Sequence, residues 1–491
     1  MPEARFQTPC DFLLQQLGTL PTEDLLRDYQ AWWITTGREL SEPVDRAGTP
    51  WLRIHDRTGQ RCDEILLGTG YRQLLTEGYR RGIIWRVFAE SSLLSGYLLG
   101  YVTAFNDPGL YCPYTVSLGT AVPLFKYGSP ALRKRYLEPL LRRDEQVWQG
   151  ATWMTEIKGG SDLGANVETR AVQNGRHWLL SGEKYFASNV GAELAVVAAR
   201  PEGAPSGVRG LALFLLPRQR RDGSLNYLIR RLKDKIATRS VPTGECLLEQ
   251  SEAYLLGRAD QGIYQILEVL NISRVANAVA SVALAQRALS EALQFAARRQ
   301  AFGTSIDRHP LLARQIRERK LGLELSFALA WEAVNLLDRV WQQKPPYSAD
   351  YHLFRLLAHL AKYWTAEFAV QTAKWAMEVH GGLGTLAEYP VERWLREAMI
   401  LMIWEGTSHR QILDGIEVMQ RKNAHNLLLD YLAPHVAESE LCDWRQQIQR
   451  YLELPQEKIE EDAEEFFAAL ARFTAVVLLQ RGLKARSSVR Q

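Results

Sequence analysis

The chain has 491 residues, 46% apolar and 23% charged, a composition that supports a large buried core and excludes disordered, fibrous and disulfide-stapled classes. A net charge of +3 over this length excludes a globally basic nucleic-acid-binding surface, so any basic contact is local. Cys10, Cys62, Cys112, Cys246 and Cys442 stand far apart without metal-ligand spacing, which predicts free thiols in a reducing cytoplasm and no metal site.

The first residues, MPEARFQTPCDF, carry acids early and lack the apolar run of a signal peptide, an expectation against export. Up to about residue 150 the pattern predicts helix: Leu13, Leu14, Leu17 and Leu20 recur at helical spacing, as do Leu132, Tyr136 and Leu140 behind a Gly128-Ser129-Pro130 cap. The uncharged stretch 91–106 falls short of the roughly 20 apolar residues of a membrane span and reads as a buried helix. Between 151 and 262, short apolar runs such as Trp178-Leu179-Leu180 and Leu194-Ala195-Val196-Val197, parted by Gly, Asn, Asp and Pro, predict a small antiparallel β domain.

Helical periodicity returns at 263 with Ile263, Ile266, Leu267 and Leu270, then Val275, Val279, Val282 and Leu289. Breakers at Lys344-Pro345-Pro346, Gly381-Gly382-Leu383-Gly384 and Tyr389-Pro390 leave room for a bundle of four or five helices up to 420. Residues 421–491 form a helical extension. Its 10 basic and 11 acidic groups are segregated: 453–465 is acidic, while Arg472, Arg481, Lys484, Arg486 and Arg490 have no acid among them. The basic end reads as a solvated tail, with an electrostatic DNA contact as the alternative. Phe466, Phe467, Leu470, Phe473, Val477 and Leu478 form a stripe whose candidate docking faces are the bundle, another subunit or a membrane surface, with docking within the oligomer preferred.

Two patches carry chemistry. In Met154-Thr155-Glu156-Ile157-Lys158-Gly159-Gly160-Ser161-Asp162, glycines flanked by hydroxyls and backbone donors allow close approach of a ring or a phosphate. In Ile403-Trp404-Glu405-Gly406-Thr407-Ser408, a carboxylate follows the apolar run 398–404; such surroundings raise its pKa and suit it to general-base work. Gly382-Leu383-Gly384-Thr385-Leu386-Ala387 satisfies G-x-G-x-x-A, but helix rather than strand precedes it, which argues against a dinucleotide fingerprint. His309, His352 and His359 lack partners at metal-ligand spacing and read as structural or surface residues.

The phrases MTEIKGGSD (154–162), RLKDKIATRS (231–240), AMEVHGGLG (376–384) and IWEGT (403–407), in this order, resemble the acyl-CoA dehydrogenase flavoprotein family. WLRIHDRTGQRCDEI (51–65) is similar to its AidB branch. The resemblance implies an α+β fold: an N-terminal helical domain (1–150), a middle antiparallel β domain (151–262), a C-terminal helical bundle (263–420) and a helical extension (421–491). FAD is then expected between the β domain and the bundle.

It further implies removal of a proton α to a thioester carbonyl, with the β hydrogen leaving as hydride. Glu405 matches the base of the family's Tyr-Glu-Gly-Thr motif, with Trp404 in place of Tyr. The alternative base position, beside Arg274, holds Ser273. Arg274 matches the arginine near the base. The FAD-binding residues carried over are Met154, Thr155, Ser161, Phe186, Ser188, Arg299, Phe302, Gly381, Gly382 and Thr407, with Gly384 in the same glycine turn. Substrate contacts fall on Ser161, Asn271, Arg274 and Trp404. Departures are Glu378 for a glutamine, Ile157-Lys158 for Pro-Gly, and His409 for a glutamine. A homotetramer acting in fatty acid metabolism, with an electron-transfer flavoprotein or oxygen as acceptor, is implied; the alternative is an AidB-like DNA-associated flavoprotein of the alkylation stress response.

Overall fold

The computed structural model describes residues 7–489; Arg490 lies outside them. The chain divides into two compact units, one made of residues 31–103 and 107–273, the other of residues up to 30, 104–106 and 274 onward.

In the sheet-bearing unit, the expectation of continuous helix up to 150 needs correction at β1 (Trp51–His55) and β2 (Arg61–Leu66), an antiparallel ribbon. The Asp56 carboxylate accepts from the amides of Thr58 and Gln60 at 2.8 and 2.9 Å, and Gly59 supplies the left-handed residue of the turn. Helices follow at Thr69–Arg81, Leu94–Asn106 and Pro108–Tyr127. Within stretch 91–106 the helix is Leu94–Asn106, buried, with its last turn counted in the other unit. Ser129 caps the next helical turn through the amide of Leu132, and a π-helical turn at Arg133–Leu137 interrupts the expected regular spacing.

Seven strands form the central sheet: β3 (Thr152–Trp153), β4 (Arg170–Asn174), β5 (His177–Ser188), β6 (Leu194–Pro201), β7 (Ala212–Pro217), β8 (Leu228–Leu232) and β9 (Thr243–Leu255). Their order is β3-β6-β4-β5-β9-β7 with β8 beside β9, and β7 also pairs with β6, so the path closes into a ring. Most pairings are antiparallel; β3 and β4 run parallel to β6, a feature absent from the antiparallel expectation. Trp153, Leu180, Val197, Phe214 and Leu248 fill the core.

In the helical unit, the Pro9–Leu17 helix ends at Gly18, so Leu20 lies beyond it. The helices after the sheet are α1 (Gly262–Arg298, begun in the other unit), α2 (Pro310–Val340), α3 (Ala349–His380), α4 (Val391–Ile403) and α5 (Ser408–Lys422); the expected breakers part α2 from α3 and α3 from α4, while the breaks after α1 and α4 fall elsewhere. The extension adds α6 (Ala424–Leu432), α7 (Glu438–Leu452), α8 (Gln456–Glu461) and α9 (Ala463–Val489).

Of the docking faces expected for the apolar stripe, the protein's own bundle is the one used: Phe467 is fully buried, its ring 5.7 Å from that of Tyr363. A Cβ on Gly415 would come within 2.5 Å of that ring, so the glycine admits it. The basic end is solvated only in part: Arg472 and Lys484 are exposed, whereas Arg481 pairs with Glu332 and bonds Tyr431, and Arg486 bonds the Gln16 carbonyl. Among the described residues two helices, 259–298 and 463–486, are long and apolar enough to cross a membrane; 89% and 56% of their apolar windows are buried in the protein, as in core helices.

Candidate active site

On the sheet, the 154–162 loop is fixed from beneath. Fully buried Lys184 bonds Glu156 at 2.6 Å and the Ala198 carbonyl at 2.8 Å, and Glu156 also accepts from the amide and hydroxyl of Thr169. The Thr155 carbonyl accepts from the Tyr185 amide at 3.1 Å, which ties the loop to an irregularity of β5 that turns Phe186 outward, 52% exposed. Trp153 Nε1 donates to the Ser188 carbonyl at 2.9 Å. The segment carrying Met154 and Thr155 therefore lies against the end of β5 that carries Phe186 and Ser188. Ser161 lies exposed on the same loop, beside Gly160, where a Cβ would come within 2.5 Å of Thr155 Oγ1. Lys158, the departure from Pro-Gly, pairs with Glu168. Asn271 lies buried on α1, one turn before Arg274.

In the helical unit, α4 ends at Ile403 and the chain turns through Trp404, Glu405 and Gly406 before Thr407 caps α5. Glu405 is a non-glycine residue at φ +60°, a strained conformation of the kind that gathers at functional sites. Burial pushes its carboxyl up to about 7, against the opposing pull of Arg274 and Lys362. Arg274, itself buried, donates from Nε to the Glu405 carbonyl at 3.3 Å and pairs with Asp414 at 3.2 Å. Gln411 donates from Nε2 to the same carbonyl at 2.8 Å, and its Oε1 accepts from His359 Nδ1 at 2.9 Å.

Lys362, Asp414, Gln411 and His359 are site residues that the sequence reading missed or set aside. A lone lysine on a helix face otherwise made of Ala358, Ala361, Thr365 and Ala366, all buried, was the available signal.

Elsewhere in this unit, Phe302 and Gly303 form a two-residue turn with φ +52° and +82° between short strands at Gln300–Ala301 and Thr304–Ser305. The turn presents the Phe302 ring 97% exposed, next to exposed Arg299. After α3, Gly381 and Gly382 open onto free space, for a Cβ on either meets nothing within 4 Å. Glu378, another departure, pairs with Lys374. The G-x-G-x-x-A string is a 3₁₀ turn after a helix. Among the described residues no group of three His, Cys, Asp or Glu is placed to hold a metal ion.

Each unit by itself carries groups suited to FAD: hydroxyls and a half-exposed ring in the sheet-bearing unit; an exposed arginine, an exposed aromatic ring and an unobstructed glycine turn in the helical unit.

Comparison with known proteins decides the family. Residues 260–419 match the acyl-CoA dehydrogenase C-terminal domain, 151–251 its middle domain, and 25–145 the N-terminal domain of adaptive response protein AidB. Probable acyl-CoA dehydrogenase YngJ of Bacillus subtilis is 30% identical over 65% of the chain and 81% of its own length. The chain belongs to the acyl-CoA dehydrogenase family. Within this family of FAD-dependent oxidoreductases it is AidB-like: putative acyl-CoA dehydrogenase AidB of Escherichia coli is 29% identical over 84% of the chain and 74% of its own length. Acyl-CoA dehydrogenase family member 11 of Caenorhabditis elegans is 33% identical over 78% of the chain, which spans 64% of that relative. Among solved structures, the Bd2924 apo-form superimposes with a TM-score of 0.85 at 28% identity, covering 98% of this chain and 96% of that one. Caenorhabditis elegans ACDH-11, solved in complex with C11-CoA, gives 0.79 at 26%, covering 96% and 85%.

Proposed function

We propose that the chain catalyses FAD-dependent α,β-dehydrogenation of an acyl-CoA or related acyl thioester, with Glu405 as the base. The observation that carries this reading is a carboxyl raised to about 7 in a strained turn beside the Arg274 guanidinium. The ionised Glu405 carboxylate takes the proton from the carbon α to the thioester carbonyl, and a pKa near the working pH suits both holding and releasing it. Arg274 stabilises the carboxylate electrostatically while its own charge is shared with Asp414. Asn271, Ser161 and Trp404 orient the thioester in this reading.

FAD, when bound, supplies the acceptor for the β hydride. Thr155, Ser161, Phe186, Ser188 and the Met154 backbone would hold the ring system; Arg299, Phe302, Gly381, Gly382 and Thr407 would hold the rest, with Arg299 and Phe302 reaching a neighbouring subunit's cofactor in a homotetramer. An electron-transfer flavoprotein as acceptor, a cytoplasmic location and a place in fatty acid metabolism complete the proposal. The ligand named for ACDH-11 supports a CoA thioester.

The test is anaerobic titration of the holoprotein with a panel of acyl-CoAs, following loss of the visible flavin absorption. Bleaching by a subset of thioesters, abolished in Glu405→Gln with FAD retained, is the expected result; unchanged bleaching in that variant refutes the base.

The match of residues 25–145 to AidB favours a second reading, a DNA-associated flavoprotein with residual dehydrogenase activity. If no thioester bleaches the flavin, salt-dependent DNA binding with and without the last 20 residues decides it. The engagement of Arg481 and Arg486 within the protein speaks for the dehydrogenase.

A further inference from the structure

One face of α3 grips the segment that carries Glu405 at three levels. His359 holds Gln411, which bonds the Glu405 carbonyl; Lys362 Nζ donates to the carbonyls of Met402 at 2.8 Å and Gly406 at 2.7 Å; and Glu367 accepts from Ser408 Oγ at 2.5 Å. Lys362 is the outlier. It is 0% exposed, and two carbonyls need only neutral donors, which a buried amide supplies at far lower desolvation cost than an ammonium. A lysine here brings a positive charge to the turn as well as hydrogen bonds.

We propose that Lys362 is a positioning residue for the base: its ammonium ties together the two carbonyls that bracket Glu405, fixing the left-handed turn, and its charge keeps the Glu405 carboxylate ionised. This rests on the reading of Glu405 as the base. The interaction is mutual, since Lys362 lowers the proton affinity of Glu405 and Glu405 raises that of Lys362. Burial brings Lys362 down to about 7, so the ammonium forms readily only beside an ionised carboxylate. The other charged or titratable groups around this pair are Arg274 on α1, Arg355, His359 and Glu367 on α3, and Arg410 and Asp414 on α5. Arg274, Arg410 and Asp414 form a linked cluster, which leaves Lys362 as the cation bonded on both sides of the base.

The experiment compares Lys362→Met, Lys362→Gln and Lys362→Arg as FAD-containing holoproteins, measuring flavin content and the pH profile of kcat/KM on a bleaching thioester. Removing the charge should move the acid limb upward by at least half a pH unit and lower kcat/KM at pH 6 about threefold or more, with recovery at higher pH; Lys362→Arg should move it back toward wild type. An unmoved limb in folded Met or Gln variants overturns the proposal, as does failure of both to fold, which would assign Lys362 to stability alone. Glu405→Gln, run alongside, separates the two claims. If it retains turnover, the base itself is wrong; if it is inactive while the Lys362 limb is unmoved, only the role of Lys362 falls.

Discussion

Arg274 reaches Glu405 through the backbone: Nε donates to the glutamate's carbonyl at 3.3 Å, while Nη2 pairs with Asp414 at 3.2 Å. One guanidinium thus fixes the turn and acts on the carboxylate at a distance, its charge partly neutralised by its partner. Arg274→Gln should raise the Glu405 pKa and shift the acid limb of kcat/KM upward, whereas Asp414→Asn, by releasing the Arg274 charge, should shift it downward. Asp414→Asn also leaves a buried cation short of its partner, at a cost of about 3 kcal/mol in a denaturant melt. Limbs moving in the same direction in both variants would contradict this arrangement.

The pH dependence of the wild type has a definite sign. Glu405 works as a base only when ionised, and burial has raised it to about 7, so kcat/KM should rise with pH and level off above that value. At pH 6 the rate should be roughly tenfold below its plateau. A profile flat from pH 5 to 8 on a thioester whose chemical step limits the rate would be incompatible with Glu405 as the base.

Gly406 follows at φ +102°, and a Cβ there would come within 2.6 Å of Gln411 Nε2, the group that bonds the Glu405 carbonyl. Gly406→Ala should combine left-handed strain of about 1–2 kcal/mol with displacement of Gln411. The expected outcome is a fall in kcat of at least tenfold with FAD content preserved, because the lesion lies in the turn. Wild-type kcat would show that the turn tolerates movement.

What the sequence disclosed followed periodicity. Breakers at Pro345, Gly381 and Pro390 marked the breaks on either side of α3 but not those after α1 and α4, and an apolar run ending in Glu405-Gly406 marked the site, because both signals are local. The β1–β2 ribbon was hidden by its helical surroundings, although Trp51-Leu52-Arg53-Ile54-His55 alternates and Asp56 to Gly59 is a turn sequence. Arg274 was found by resemblance, but its pairing with Asp414, 140 residues later, exists only once α1 and α5 pack. Likewise the α9 stripe was visible as a stripe, while its docking face needed Gly415 and Tyr363 brought together by the fold.

His359 gives the site a cost in acid. Its ring is fully buried, bonded to Gln411 and close to the Arg274 cation, and burial lowers its pKa to about 3. The unfolded chain takes up the histidine proton near pH 6.5, while the folded state refuses it until about pH 3. Because the folded value is depressed, the contribution to stability is complete above the unfolded value and is lost as pH falls toward the folded one. At pH 5 the loss is about 2 kcal/mol for this one group. His352, lowered to about 4, adds to it in the same direction. Thermal melts between pH 7.5 and 4.5 should show a falling Tm in the wild type and a shallower fall in His359→Asn, which has no proton to bind. Parallel curves would mean that His359 titrates alike in both states. The loss of the Gln411 contact should lower the whole His359→Asn curve without changing that difference in slope.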